Sequence, residues 1–177
     1  MKTDIGPLFT DDAEPAVPGI SAPPAGWTSD EWSTPPDEVQ AIAQWLGVTF
    51  DLDPCCRADT AKAPVFFTKA ENGLTRPWFG HVWLNPPYSD PAPWVRKAAE
   101  ETETGRCALV AACLPASTDT AWFHEHVLGR AEIRFRRGRV RFYGWMGTPL
   151  GSPKTPTMYA IYRAPVDRRS IAGAFCR

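Results

Sequence analysis

The stretch HVWLNPPYSD, residues 81–90, decides the expected fold. The letters VWL form a short apolar run that is typical of a strand buried in a parallel sheet. The two prolines after Asn85 have no backbone N–H to donate to a neighbouring strand, so the strand has to end there. In an open α/β sheet, ligands bind beyond the carboxyl ends of the strands. We therefore expect Asn85 and Tyr88 to be held in a rigid turn at the site-forming edge of a sheet.

Alternating helices and strands extend from this stretch in both directions. Upstream, STPPDEVQAIAQWLG predicts a helix with Thr34 as its N-cap and Gly47 at its end, because apolar residues recur there at i, i+3, i+4 and i+7. The segment VTFDLDPCC then predicts a strand followed by a loop. The remaining predictions up to residue 128 are a short strand at 65–68, a helix from 90 to about 104, a strand at 107–115 and a helix at about 119–128.

Strict alternation of apolar and basic residues follows residue 128. Ile133 and Phe135 alternate with arginines, as do Val140 and Phe142, around a turn at 137–138. This pattern predicts a β-hairpin, and TMYAIYR at 157–163 predicts a further strand. The expected architecture is α/β, with a mostly parallel sheet that ends in an antiparallel hairpin.

Length and cysteine content set the broad class of the protein. A chain of 177 residues suits one domain. The five cysteines show no CxxC spacing and follow no secretory signal, which favours a reducing environment, and no apolar stretch approaches the ~20 residues of a membrane span. We therefore expect a soluble, cytoplasmic protein that is not bound to a membrane.

The net charge of −1 conceals an uneven distribution. Residues 1–40 carry eight acids and one lysine, whereas the rest of the chain has 18 bases against 12 acids. Residues 1–26 are acidic and rich in proline, which predicts a disordered or loosely ordered tail ahead of a single domain at 27–177. Six arginines lie between residues 130 and 141, and such a density predicts contact with a polyanion.

The NPPY turn suits chemistry on an amino group. The side-chain oxygen of Asn85 and the carbonyl of Pro86 can accept both hydrogens of one planar amine. Such acceptance localises the lone pair of the nitrogen, which makes the amine more able to attack an electrophilic carbon. Pro87 stiffens the turn, and Tyr88 offers a ring face for stacking a base, a contact worth ~1–3 kcal/mol in nucleic-acid complexes. The turn therefore predicts alkylation of an exocyclic amine.

Four segments in order, EWSTPPDEV, FDLDPCC, ENGL and WLNPPYS, resemble the phage Dam-type DNA N-6-adenine methyltransferases over roughly residues 30–163. The resemblance implies a Rossmann-like methyltransferase fold and transfer of a methyl group from S-adenosylmethionine to the N6 amine of adenine in double-stranded DNA. It makes Asn85, Pro86, Pro87 and Tyr88 the catalytic turn. The adenine would be flipped out of the duplex and methylated by direct in-line transfer.

The same resemblance implies the residues that bind the cofactor. Thr34 and Pro35 match the segment that holds its methionine end, where the start of a helix suits a carboxylate. Asp53, Pro54 and Cys55 match the loop after the first strand, where a carboxylate can pair with the cofactor's amino group. Asn72 takes the place of the polar residue that meets the cofactor's adenine. Asp51 is a second acidic candidate two positions from Asp53, and Asp59 a candidate for the ribose.

The predicted DNA-binding residues lie in the expected hairpin: Arg134, Arg136, Arg137, Arg139, Arg141, Phe142 and Tyr143. A metal site is not expected, because the spacing of cysteines and histidines matches no zinc pattern. Two alternatives stay open at the level of the sequence. One is an amino-group methyltransferase that acts on RNA or on a protein glutamine, and the other is a catalytically silent DNA-binding module.

Overall fold

The computed structural model describes residues 25–148 and 153–165. The predicted tail up to residue 24 and Cys176 lie outside the described residues. The elements in chain order are the helix α1 (Pro36–Leu46), the strands β1 (Leu52–Asp53), β2 (Val65–Phe66) and β3 (Gly80–Leu84), the helix α2 (Ala92–Glu103), the strand β4 (Cys107–Pro115), the helix α3 (Ala121–His126), and the strands β5 (Glu132–Phe135) and β6 (Thr157–Arg163).

The six strands form one mixed sheet in the order β2-β1-β3-β4-β6-β5. The pairs β1–β2, β1–β3 and β3–β4 are parallel, whereas β6 runs antiparallel to both β4 and β5. The predicted α/β class with a mostly parallel sheet is therefore confirmed. All the carboxyl ends of β1, β3 and β4 meet at one edge, which is the edge where β3 runs into the NPPY turn.

Side chains on the two faces of the sheet fill two hydrophobic cores. On one face, alternate residues of β3, β4 and β6 pack against α2 and α3, as Leu84, Val110 and Val95 illustrate. On the other face, residues such as Trp83 pack with Val39 of α1. Alternation along a strand sends successive side chains to opposite faces, so β4 and β6, which are covered on both faces, are apolar almost throughout.

Helix α1 follows the predicted apolar spacing and ends at Gly47, whose φ of 68° is a left-handed value that glycine adopts at little cost. The predicted N-cap is wrong, because Pro35 occupies that position and no side chain caps the helix. Helices α2 and α3 and strands β3, β4 and β6 form where the sequence predicts them, within a few residues at each end.

The predicted hairpin is built differently from the expectation. β5 pairs with β6 rather than with residues 139–142, which form no strand. Those residues instead cross the face of the sheet that α1 covers, where Val140 and Phe142 are buried, and Tyr143 makes an isolated antiparallel bridge with Ser33. No helix in the described part of the chain is long and apolar enough to cross a membrane.

Candidate active site

A cleft of about 380 Å³ opens at the carboxyl ends of β1 and β3. Four segments line it: residues 28–34 ahead of α1, the loop that begins at Asp53, the loop from Thr68 to Leu74, and the segment from Asn85 to Trp94. Its volume falls in the range of small-molecule sites, roughly 300–1,000 Å³. The parallel strands bring these segments together although they are far apart in the sequence.

Asn85 follows the last residue of β3, and its amide has a fixed orientation. Its Nδ2 donates to the backbone carbonyl of Trp32 at 2.9 Å. Since a carbonyl oxygen can only accept, the nitrogen has to face Trp32 and Oδ1 has to face the other way. Oδ1 is buried and has no hydrogen-bond partner among the described residues. The turn therefore holds one acceptor that is oriented and unused.

The other residues of the turn take different positions. Pro87 lines the cleft, whereas Pro86 and Tyr88 do not. No donor among the described residues bonds the Pro86 carbonyl. The Tyr88 ring packs edge-to-face on Phe142 at 5.9 Å between centroids, and its hydroxyl lies 3.6 Å from Cys113 Sγ. Burial raises the pKa of Tyr88 well above its ordinary value.

Asp53 is buried at the end of β1 and shapes the loop that follows. Its carboxylate accepts from the backbone N–H of Cys55 at 3.3 Å and from that of Lys62 at 3.0 Å. Burial raises the Asp53 pKa to about 6, although those N–H donors favour the ionised form. Asp53, Pro54 and Cys55 all line the cleft.

Asn72 also lines the cleft. It has a left-handed backbone, with φ of 51°, and its side-chain oxygen accepts from the Leu74 N–H. A Cβ on the next residue, Gly73, would lie 2.0 Å from the backbone oxygen of Pro54. The close approach of the two loops therefore requires a glycine at this position.

Thr34 also lines the cleft, whereas the predicted cofactor-binding residues Pro35 and Asp51 do not. The Thr34 hydroxyl is buried without an oxygen or nitrogen partner, beside the Cys113 thiol. The Asp51 carboxylate, just ahead of β1, accepts from the His81 N–H of β3 at 2.8 Å and lies outside the cleft. Asp59, considered for the ribose, pairs with Arg57 at 2.9 Å and does not line the cleft.

Several lining residues were not predicted from the sequence. They come from the segment ahead of α1, the loop after β1 and the segment after the NPPY turn: Asp30, Glu31, Trp32, Arg57, Lys62, Ser89 and Trp94. The STPP motif signals the neighbourhood of the first group, but nothing local shows that the residues before it fold over the cleft. Trp94 is partly buried and also lines the cleft.

The arginine-rich segment divides into paired and unpaired side chains. Arg134 binds Glu132 at 2.9 Å and stacks over Trp45, and Arg136 binds both carboxylate oxygens of Glu38 at 2.9 and 2.8 Å. Both arginines are therefore committed within the fold. In the described part of the chain, no ion pair involves the other three predicted arginines, which are Arg137, Arg139 and Arg141.

The two aromatic residues predicted to bind DNA, Phe142 and Tyr143, are also held within the fold. Phe142 is only 1% exposed and packs between Trp32 and Tyr88, so it cannot contact an extruded base directly. Tyr143 is half-buried and exchanges two backbone hydrogen bonds of 2.8 Å with Ser33. The four described cysteines carry free thiols, and no group of three or more metal-ligating side chains occurs within residues 25–148 and 153–165.

Comparison with known proteins adds independent information. A family model described as DNA N-6-adenine-methyltransferase (Dam) matches residues 25–170. A DNA N-6-adenine-methyltransferase of Escherichia phage T1 is 37% identical over 118 residues, which cover 65% of this chain and 47% of that protein. The chain thus spans about half the length of the phage T1 relative.

Two further proteins are similar. A DNA N-6-adenine-methyltransferase of Haemophilus phage HP1 (strain HP1c1) is 34% identical over 149 residues, which cover 82% of this chain and 86% of that protein. A solved structure of a proposed RNA methyltransferase from Pyrococcus horikoshii aligns with a TM-score of 0.46 at 13% identity, over 76% of this chain and 87% of that chain. Because the family model covers most of the sequence and the phage HP1 relative aligns over most of both proteins, the chain belongs to the DNA N-6-adenine-methyltransferase (Dam) family.

Proposed function

We propose that this protein transfers a methyl group from S-adenosylmethionine to the N6 amine of an adenine flipped out of double-stranded DNA. The observation that carries the proposal is the buried, unpaired Oδ1 of Asn85. A buried acceptor without a partner costs roughly 1–3 kcal/mol. An amino group that binds there would satisfy it, and the Trp32 carbonyl keeps the amide from turning its nitrogen toward that group.

Asn85 and Pro86 would act on the amine together. With Oδ1 of Asn85 and the Pro86 carbonyl as acceptors, both hydrogens of the amine are held and its lone pair is localised on nitrogen. Tyr88 would supply the stacking surface, and its contacts with Phe142 and Cys113 hold the ring beside the turn. The chain's contribution is then positioning, which can lower a barrier by several kcal/mol without a covalent intermediate.

The cleft fits the methyl donor in size and chemistry. S-adenosylmethionine supplies an electrophilic methyl group when it is bound. Asp53 offers a buried carboxylate for an ammonium group, Asn72 a polar side chain for a purine, and Thr34 a buried hydroxyl with no oxygen or nitrogen partner. The loop from Asp53 to Cys55 would hold the cofactor, and neither Pro35 nor Asp51 is needed for contact.

The duplex would be held by the unpaired arginines of the 130–141 segment. Arg137 and Arg141 are exposed, and Arg139 is partly buried with an Nη1 that has no partner among the described residues. Arginines that contact phosphates release counterions, so affinity falls as salt rises. Arg134 and Arg136 are not proposed as DNA ligands, because acids of the same chain already occupy them.

The test is incubation of the full chain with methyl-labelled S-adenosylmethionine and duplex DNA of mixed sequence, followed by digestion to nucleosides. We expect label in N6-methyladenine. Absence of N6-methyladenine from every duplex would contradict the proposal. Label appearing instead in RNA or in a protein glutamine would favour the other amino-group methyltransferases, and no binding of the cofactor by calorimetry would favour a silent DNA-binding module.

A further inference from the structure

The segment of residues 27–33, here called the strap, lies over the cleft just ahead of α1. Its carboxyl end is fixed by the two backbone hydrogen bonds of 2.8 Å between Ser33 and Tyr143. Its middle is fixed by Arg57, whose Nη1 donates to the Glu31 carbonyl at 2.9 Å. Neither of these attachments involves the NPPY turn.

Three hydrogen bonds join the strap to the catalytic turn and the residue after it. Ser89 donates its backbone N–H to Asp30 Oδ1 at 3.0 Å and its hydroxyl to Asp30 Oδ2 at 2.6 Å. Asn85 donates to the Trp32 carbonyl at 2.9 Å. The two attachment points lie two residues apart on the strap and four apart on the turn, so together they fix both the distance and the rotation between the two segments.

We propose that Asp30 is a positioning residue for the transfer, an inference that rests on the proposed function. Its carboxylate holds Ser89, and so keeps the Trp32 carbonyl within reach of the Asn85 amide. That carbonyl in turn directs Oδ1 of Asn85 toward the amine of the substrate. Asp30 lines the cleft, but in this role it acts through Ser89 and Trp32 rather than through contact with the substrate or the methyl donor.

The hydrogen-bonding groups of the Asp30–Ser89 pair, here called the clamp, suit this role. A carboxylate has two oxygens that only accept hydrogen bonds, and Ser89 offers two donors. Each donor can therefore bond its own oxygen of Asp30. Hydrogen bonds to a charged acceptor are about twice as strong as neutral ones, and an O–H···O⁻ distance of 2.6 Å is typical of them. Ser89 is exposed and Asp30 is only half-buried, so little global stability depends on the pair.

The alternative is that the Asp30–Ser89 pair only fixes the loop in place and does not affect catalysis. The strap would keep its attachments at Ser33 and Glu31 after loss of Asp30, so the fold and the cleft are expected to survive. If the pair only fixes the loop, loss of Asp30 would lower the stability slightly and change the catalytic rate little. A positioning residue would change the rate at saturating substrate, because small displacements of an aligned group can cost on the order of 100-fold.

Glu71 provides a matched control for the clamp. Its Oε2 accepts from the backbone N–H of Thr68 at 2.8 Å and from the Thr68 hydroxyl at 2.9 Å, so it is also a carboxylate that holds both donors of one residue. It makes no bond to the strap or to the NPPY turn. Asp30→Ala and Glu71→Ala thus remove the same kind of clamp at two places.

The experiment compares both variants with the unchanged protein by kcat on duplex DNA and by NMR of the Asn85 side-chain amide, assigned from its loss in Asn85→Ala. We expect Asp30→Ala to lower kcat by 10- to 100-fold and to speed hydrogen exchange of the Asn85 amide at least tenfold, with calorimetric binding of S-adenosylmethionine within threefold. The loop of residues 68–74, which contains Glu71, lines the cleft, so Glu71→Ala is judged by the exchange of the Asn85 amide, which it should leave unchanged.

A second variant guards against misfolding. Ser89→Ala removes only the hydroxyl bond and should lower kcat less than Asp30→Ala, and the double variant should equal Asp30→Ala alone, because both act through one contact. Equal kcat and equal amide exchange in Asp30→Ala and the unchanged protein would overturn the inference. If the unchanged protein methylates no DNA, the proposed function fails, and the amide exchange, which needs no substrate, still decides whether Asp30 orients Asn85.

Discussion

The orientation of one side-chain amide carries the proposed chemistry at the residue scale. The sequence identifies Asn85, because an asparagine followed by two prolines after an apolar run is a recognisable strand end. It does not identify Trp32, whose carbonyl fixes the amide, because any residue has a carbonyl and 53 positions separate the two. Local patterns therefore reveal the proposed catalytic group but not the group that orients it.

Replacement of Asn85 by Asp tests this orientation. The aspartate has no N–H for the Trp32 carbonyl, so two acceptors would face each other in a half-buried position. We expect a loss of unfolding free energy of about 1–3 kcal/mol and at least a 100-fold fall in kcat, measured by urea unfolding and by the labelled-methyl assay. A variant that kept its rate within tenfold would show that the bond to Trp32 does not orient the catalytic group.

The pH dependence of cofactor binding tests the role of Asp53. Burial raises its pKa to about 6, so the carboxylate is ionised above that pH and neutral below it. If it pairs with the ammonium group of the cofactor, affinity should weaken as pH falls from 7 to 5. Calorimetry across this range should show the change in the unchanged protein and not in Asp53→Asn.

The same group affects stability with the opposite sign. The unfolded chain releases this proton near pH 3.9, whereas the folded chain keeps it until about 6. Between these values the folded state binds more protons, so the contribution of Asp53 to the free energy of unfolding falls as pH rises. In the binding experiment, a cofactor affinity that stayed constant from pH 7 to 5 would contradict the pairing of Asp53 with the ammonium group.

The antiparallel part of the sheet shows, at the element scale, where pattern reading fails. The alternation at 132–135 does form the strand β5, but its partner is β6, which is apolar on both faces, as is typical of a strand in the interior of a sheet. Residues 140 and 142 alternate for a different reason, since they insert into the core beside α1. Pairing partners depend on contacts between distant segments, which periodicity does not encode.

The arginine-rich segment of residues 130–141 contains arginines that stabilise the fold and arginines that are proposed to bind DNA. Burial alone would raise the Glu38 pKa, but hydrogen bonds from Arg136 and Tyr159 outweigh it, and the pKa is lowered. We expect Arg136→Ala to lower the free energy of unfolding by about 1–3 kcal/mol, because it leaves that carboxylate without its bidentate partner. Chemical denaturation at pH 7 would measure this loss.

Arg137→Ala is the matched comparison on the adjacent, exposed position. It should leave unfolding unchanged, weaken DNA binding similarly for all sequences, and reduce the slope of log affinity against log salt by about one. Fluorescence anisotropy at several salt concentrations would measure the slope. If Arg136→Ala changed the slope and Arg137→Ala did not, the division into paired and unpaired arginines would be wrong.

At the scale of the whole molecule, the positions of the central elements along the chain follow largely from the sequence. Three central elements, β3, α2 and β4, appear where apolar runs and helix signals predict them, and their parallel pairing brings the loops of β1 and β3 to one cleft. The strap could not be predicted, because its position depends on contacts with Ser89 and Tyr143, 59 and 110 positions away from their partners.

Ligand binding should stabilise the whole domain if the cleft is the cofactor site. S-adenosylhomocysteine, the demethylated product, at 100 times its Kd would add about 2.7 kcal/mol, which raises Tm by several degrees for a chain of this size. Asn85→Ala should keep this shift, because Asn85 acts on the amine, and Asp53→Asn should reduce it. Calorimetric scanning would measure Tm, and an equal shift in Asp53→Asn would remove that residue from the cofactor site.

The central place of β6 has a consequence for biosynthesis. Among the described strands it is translated last, yet it lies between β4 and β5 and pairs with both. A nascent chain that has not yet emerged from the ribosome beyond residue 156 would leave two unpaired strand edges exposed, which are sites of aggregation. Formation of the complete sheet thus has to wait until residues 157–163 have emerged, and a premature stop before Thr157 would yield chains prone to associate with one another.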